Sequence, residues 1–180
     1  ISIVNAEFAA HAGRAVNVSL TLRNWVIGCY IVEYELKGSD RARYGDRLLD
    51  RLSARLQKNG VSRSEERELR RYRQFYLVYP RIRESLTPEL QKRLLKSPQK
   101  AALEIRESPA PESRRLFSAS GKELITKLSF THIAELLSID DARARAFYET
   151  ECIRGNWSVR ELKRQIGSLS GGQQRRTFIA

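Results

Sequence analysis

The sequence predicts an all-α protein, on three observations. No stretch of useful length alternates apolar and polar residues as a strand does. Apolar residues recur at spacings of three and four over long runs free of proline. Proline falls between those runs rather than inside them. The expected architecture is a long N-terminal helix, a helix-turn-helix or winged-helix-like bundle, and a C-terminal three-helix segment. It divides into a helical helix-turn-helix region (1–80), a linker with short helices (81–127), a three-helix segment (128–169) and a flexible tail (170–180).

The first helix runs from Val4 to Leu36, without proline. Phe8, Ala12, Ala15, Leu22, Trp25, Cys29 and Val32 fall along one stripe, and a helix of that length spans about 50 Å. Gly38-Ser39-Asp40 ends it. A second helix, Arg41 to Gln57, buries Tyr44, Leu48, Leu52 and Leu56. Lys58-Asn59-Gly60 is a turn suited to positive φ. The third helix begins at Ser62, with Glu65 closing a capping box, and ends near Tyr79, before Pro80.

Pro88, Pro98, Pro109 and Pro111 interrupt 81–127, where short helices are expected at 89–95 and 101–106. Ser108 to Ser113 reads as linker. Beyond it, Thr131 to Leu137 carries Ile133, Leu136 and Leu137. Asp140 to Arg154 turns Ala144, Phe147 and Tyr148 inward and stops at Gly155. Ser158 to Leu169 opens with a Ser158/Glu161 capping box and a Trp157–Leu162 staple.

At 180 residues the chain is long enough for a sizeable core. It carries 33 Lys and Arg against 21 acids, a net charge of +12, which points to nucleic acid before anionic membrane. The longest apolar stretch, Trp25 to Val32, is too short to span a bilayer. Cys29 and Cys152 have no metal-spaced neighbours, so a reduced, cytoplasmic setting is expected. The chain has no Met and begins at Ile1, which reads as a piece or processed product of a longer protein.

The helices at 41–57 and 62–79, joined by a tight glycine turn, outline a helix-turn-helix. At 100° per residue, Leu69, Tyr72, Phe75, Tyr76 and Tyr79 take one side of the second helix. Arg63, Arg67, Arg70 and Gln74 take the other, and these are side-chain types that reach base edges or phosphates. Arg47, Arg51 and Arg55 form a second row. From Arg41 to Arg83 there are 13 basic and 5 acidic residues, a net +8. Duplex DNA is the partner this distribution suggests; a solvated face or an acidic protein partner is the competing reading. Trp25, Ile27, Tyr30 and Ile31 make the first helix more apolar than one face needs, so they are candidates for a homodimer, higher oligomer or partner interface.

Three apparent catalytic signals fail on context. Leu169-Ser170-Gly171-Gly172-Gln173 spells the signature of ABC transporter ATPases, but no phosphate-cradling loop precedes it. Glu161-Leu162-Lys163 has the ExK form of a nuclease motif, yet it lies in a helix and reads as a surface ion pair. His11 and His132 have no triad partners; His132 reads as a packing or capping residue. No catalytic residue, metal ligand or cofactor is assigned.

Ala15-Val16-Asn17, Asn24 to Gly28, Arg41 to Gly45, Leu48 to Ser53, Arg73 to Tyr76, Leu128 to His132, Phe147-Tyr148-Glu149 and Trp157 to Ile166 occur in that order. This set resembles the N-terminal domain of the YhcG-type proteins, a bacterial family of unknown function in which the domain precedes a PD-(D/E)XK nuclease. The resemblance covers the chain to about Ser168. It implies a DNA-binding helix-turn-helix or winged-helix module that targets or regulates a nuclease, with a setting in mobile-element or phage defence. The family's catalytic carboxylates would lie beyond Ala180. Leu128 to Ile166 is also similar to a helical DNA-binding segment of ParB-type partition proteins.

Overall fold

The computed structural model describes residues 1–37, 41–95 and 119–169, without the side chains of 34–37, 41–47, 95 and 169. The described residues are helical with no strand. In order they form α1 (Ser2–Lys37), α2 (Arg41–Lys58), α3 (Glu66–Val78), a 3-10 turn (Pro80–Ser85), α4 (Pro88–Leu95), α5 (Gly121–Lys127), α6 (Phe130–Leu136), α7 (Ala142–Arg154) and α8 (Val159–Leu169).

The second half of α1 and α3 form the spine. Gly28 lets the two backbones meet: a Cβ there would lie 1.9 Å from the Tyr72 carbonyl oxygen. Trp25, fully buried, donates from Nε1 to the Tyr79 carbonyl at 2.9 Å and meets Tyr76 edge to face at 5.0 Å. Tyr72 and Phe75 of α3 pack on Phe130 at 5.2 and 5.7 Å, which brings in α6. Aromatic pairs of this kind contribute about 0.5–1.5 kcal/mol beyond the area they bury. One apolar core runs from Trp25 through Leu69, Ile82 and Leu124 to Ile133, Cys152 and Leu162.

The C-terminal helices start where polar side chains satisfy the first free N–H groups. Ser120 and Glu123 form a full capping box at α5. At α6 the box closes with His132 instead of a carboxylate: the Ser129 N–H donates to Nδ1 at 3.2 Å. Asp141 accepts from Arg143 and Ala144 at α7. Ser158 accepts from the Glu161 N–H at α8.

Several expectations are corrected. α3 starts at Glu66, not Ser62, and Glu65 makes no side-chain cap bond. The Ser62-to-Glu65 stretch is a structured turn: Tyr72 Oη donates to the Arg63 carbonyl at 2.7 Å, Ser64 Oγ to that of Val61 at 2.8 Å, and Arg63 sits at φ 55°. Gly60, at φ 73°, is left-handed as expected. α2 buries Leu49 and Ser53, with Leu48, Leu52 and Leu56 half-buried; the Tyr44 side chain lies outside the described residues. Phe147 is exposed and only Tyr148 is buried. α7 stops at Gly155 as expected, and the left-handed residue, Asn156, follows it.

The stretch expected as linker, 81–127, contributes to the core at both of its ends. Ile82, Leu86 and Leu94 near its start, and Leu124 and Ile125 near its end, are buried. Gly121 packs so closely that a Cβ would lie 2.4 Å from the Arg81 carbonyl. The expected helix 101–106, the linker 108–113 and the tail 170–180 lie outside the described residues.

α1 is long and apolar enough from Ser2 to Glu33 to cross a membrane by length and composition alone. Its two halves differ. Residues 1–16 are all exposed, whereas Trp25, Cys29, Ile31 and Val32 are buried in the protein's own core. Burial of that second half is what a core helix shows.

Candidate nucleic-acid interface

α2 packs on α3 and buries Leu49 and Ser53, which directs the opposite side of α2 outward. Arg51 and Arg55 stand there, exposed and without an ion pair among the described residues; Lys58 continues the row. Arg67 stands likewise exposed on α3, opposite buried Leu69, Tyr72 and Tyr76. Exposed guanidinium groups without internal carboxylates keep their full charge and all their donors for a polyanion.

The other sequence candidates are placed differently. Arg63 belongs to the turn between α2 and α3 and not to the α3 face, because its backbone is left-handed. Arg70 pairs with Glu66, one turn away on α3. That pair is exposed, so it is worth little and yields readily to a stronger anion. Gln74 Nε2 donates to the Leu137 carbonyl at 3.1 Å, tying α3 to the end of α6 rather than presenting a free amide to a base edge. The Arg47 side chain lies outside the described residues.

The four interface candidates separate in the same way. Trp25 and Ile31 are 0% and 2% exposed, so both are core residues, not surface ones. Ile27 is half-buried against the core, and Tyr30 alone is open, at 52%.

Sequence reasoning missed Arg23. It donates to Asn24 Oδ1 at 3.2 and 3.0 Å and to the Ser62 carbonyl at 3.5 Å, bracing the turn between α2 and α3 from α1. It also missed the buried pair of Arg81 with Glu149, whose Oε1 further accepts from the Ala119 N–H. Burial raises the Glu149 carboxyl above its ordinary range, and the Arg81 charge opposes that rise. Neither the Arg23 bond to Ser62 nor the Arg81–Glu149 pair has a local signal, since the partners lie far apart in sequence.

The residues behind the other sequence signals have structural placements. Lys163 pairs with Glu135 at 3.2 Å and Arg164 with Glu161 at 2.7 Å, so the ExK tripeptide serves surface ion pairs on α8. His132 completes a cap through Nδ1, and its Nε2 lies 3.0 Å from the Trp157 carbonyl oxygen. Cys29 and Cys152 are free and buried; burial pushes their thiols up to about 12 and about 11, which keeps them protonated and poor nucleophiles. No group of His, Cys, Asp and Glu among the described residues is arranged to hold a metal.

The chain matches the DUF1016 N-terminal domain over residues 3–103 and 114–170. It is 36% identical over 162 residues to "Putative nuclease YhcG" of Escherichia coli (strain K12), an alignment covering 86% of this chain and 40% of that protein. No solved structure matches. The chain thus spans about 40% of the length of this curated relative, and most of its own length carries the match. On that coverage, the chain belongs to the DUF1016 N-terminal domain family.

Proposed function

We propose that this chain is a noncatalytic, duplex-DNA-binding helical domain that holds substrate for, and so targets or regulates, a nuclease portion of the same protein in the cytoplasm. The observation that carries the reading is the set of exposed guanidinium groups on the outer sides of α2 and α3: Arg51, Arg55 and Arg67, free of ion pairs among the described residues. Arg63 and Lys58 extend it around the turn. Arg70 joins by exchanging Glu66 for phosphate. The relative's name supports the nuclease connection.

Gln74 leaves the list of base-reading residues, because its amide holds α6. What remains is arginine on helices and a turn, suited to phosphates more than to one base sequence. Binding is therefore weakly sequence-dependent and strongly salt-dependent. Replacing Arg51, Arg55 and Arg67 together by Gln removes three phosphate contacts. It should flatten the slope of log affinity against log salt by about 3 units and weaken random and chosen duplexes alike. Unchanged slope and affinity in a folded triple variant would remove the reading. Self-association has its own structural support in the open half of α1.

A further inference from the structure

We propose that residues 1–18 of α1 pair antiparallel with the same segment of a second copy of this chain. Every residue from Ile1 to Val16 is exposed, so this half of α1 projects beyond the core. At 1.5 Å per residue the bare rod is about 25 Å long. A lone helix of that length is marginal in water. Ile1, Val4 and Phe8 on it are 109%, 54% and 71% exposed.

The bare half carries a seam. Val4, Phe8, His11, Ala15 and Val18 alternate spacings of four and three. The alternation continues without a break into Leu22, Trp25, Cys29 and Val32, of which the last three are buried in the core. A seven-residue repeat of this kind is the pattern by which one helix packs along another. From Val18 onward the seam is covered within the chain, Val18 itself half-buried against the core, and from Val4 to Ala15 it is not.

Charge and size select the occupant. Glu7 and Arg14 lie on one edge of the seam, seven residues apart. In a parallel pair that edge meets the opposite edge, so Glu7 would face Ala12 and Arg14 would face Ser19, leaving both charges unanswered. In an antiparallel pair the edge meets itself. Core partners whose numbers add to 19 (1 with 18, 4 with 15, 8 with 11) then bring the edge positions adding to 21 together, and Glu7 meets the partner's Arg14 on both sides of the two-fold axis. The same register sets Val4 over the small Ala15 and Phe8 against the His11 ring. Ile3, Val16 and Leu20 lie off this seam.

The test is the mass of the 180-residue chain by sedimentation, with circular dichroism as a check on folding. The wild type should be a dimer. Phe8→Glu should halve the mass without loss of the folded core, since Phe8 touches none of it. Glu7→Arg and Arg14→Glu should each dissociate the dimer, and the double exchange should restore it. Val16→Ser with Leu20→Ser should leave it intact. A monomeric wild type, a dimer indifferent to Phe8→Glu, or single charge reversals without effect would each overturn the proposal. None of these outcomes bears on the arginines of α2 and α3, so DNA binding stands or falls separately.

Discussion

Replacing Gly28 by alanine should pry α1 from α3. The added Cβ would lie 1.9 Å from the Tyr72 carbonyl oxygen, 2.5 Å from its carbon and 3.2 Å from the Arg73 nitrogen. Ordinary contact begins near 3.4 Å, so the helices must part by about 1.5 Å at this point. All three atoms are backbone inside α3 and have no rotamer to escape into. Separation opens the contacts of Trp25 with Tyr76 and stretches the Trp25 bond to Tyr79. Overpacking of this kind costs about 1–3 kcal/mol and sometimes more, while alanine regains about 1 kcal/mol of helix propensity. With a rigid obstacle the larger values apply, so the expected net loss is about 2 kcal/mol. At this chain length that lowers Tm by about 4–8 °C. Gly13→Ala is the control: nothing lies within 4 Å of its Cβ, so it should gain propensity at no packing cost. Thermal unfolding followed by circular dichroism reads both. A Gly28→Ala protein as stable as Gly13→Ala would refute the close approach on which the fold's spine depends.

Two pH-linked predictions follow from groups that packing perturbs in opposite directions. Burial lowers the His132 pKa from its usual 6.5, with the Trp157 carbonyl opposing. The neutral ring accepts the Ser129 N–H at Nδ1, and protonation there abolishes the cap. A lowered pKa means that stability present above about 6.5 is lost as pH falls through the folded value. His132→Ala should therefore cost about 1 kcal/mol at neutral pH and flatten the acid limb of the stability profile between pH 7 and 5; an unaltered limb would exclude this cap as its source. Glu149 has its pKa raised, chiefly by burial, so its own contribution is present at low pH and lost as pH rises through the folded value. Arg81→Met removes the charge that opposes the rise, so it should push the Glu149 pKa higher still and destabilise the protein by about 2–3 kcal/mol, below the figure for fully buried pairs because Arg81 is 28% exposed. Carboxyl titration by NMR and urea unfolding measure both, and a lower Glu149 pKa in the variant would contradict the assignment.

The parts of this fold that were legible from the sequence are those with local signals. α1, α2 and α6 to α8 announce themselves by apolar spacing, and α7 and α8 also by Asp or Ser at their starts. α5 escaped because it is seven residues long and opens on a glycine, which lowers its helical signal although Ser120 and Glu123 cap it. The start of α3 misled because Ser62 and Glu65 spell a capping box, while a bond from Tyr72, nine residues on, fixes Arg63 in a left-handed turn. In the candidate site the same divide holds. The outward placement of Arg51, Arg55 and Arg67 follows from the apolar residues opposite them. The loss of Gln74 to Leu137, 63 residues away, has no local trace. Trp25 read as surface because nothing near it in sequence reveals that the Tyr79 carbonyl awaits its indole.

The central claim is that outward arginines on α2 and α3 grip a nucleic-acid backbone. Fluorescence anisotropy with a labelled random-sequence duplex at two salt concentrations addresses it most directly. The account predicts saturable binding at low salt that weakens steeply as salt rises, with a log–log slope of about −3 or steeper. An absence of binding at low salt, or an affinity that salt does not change, would contradict it.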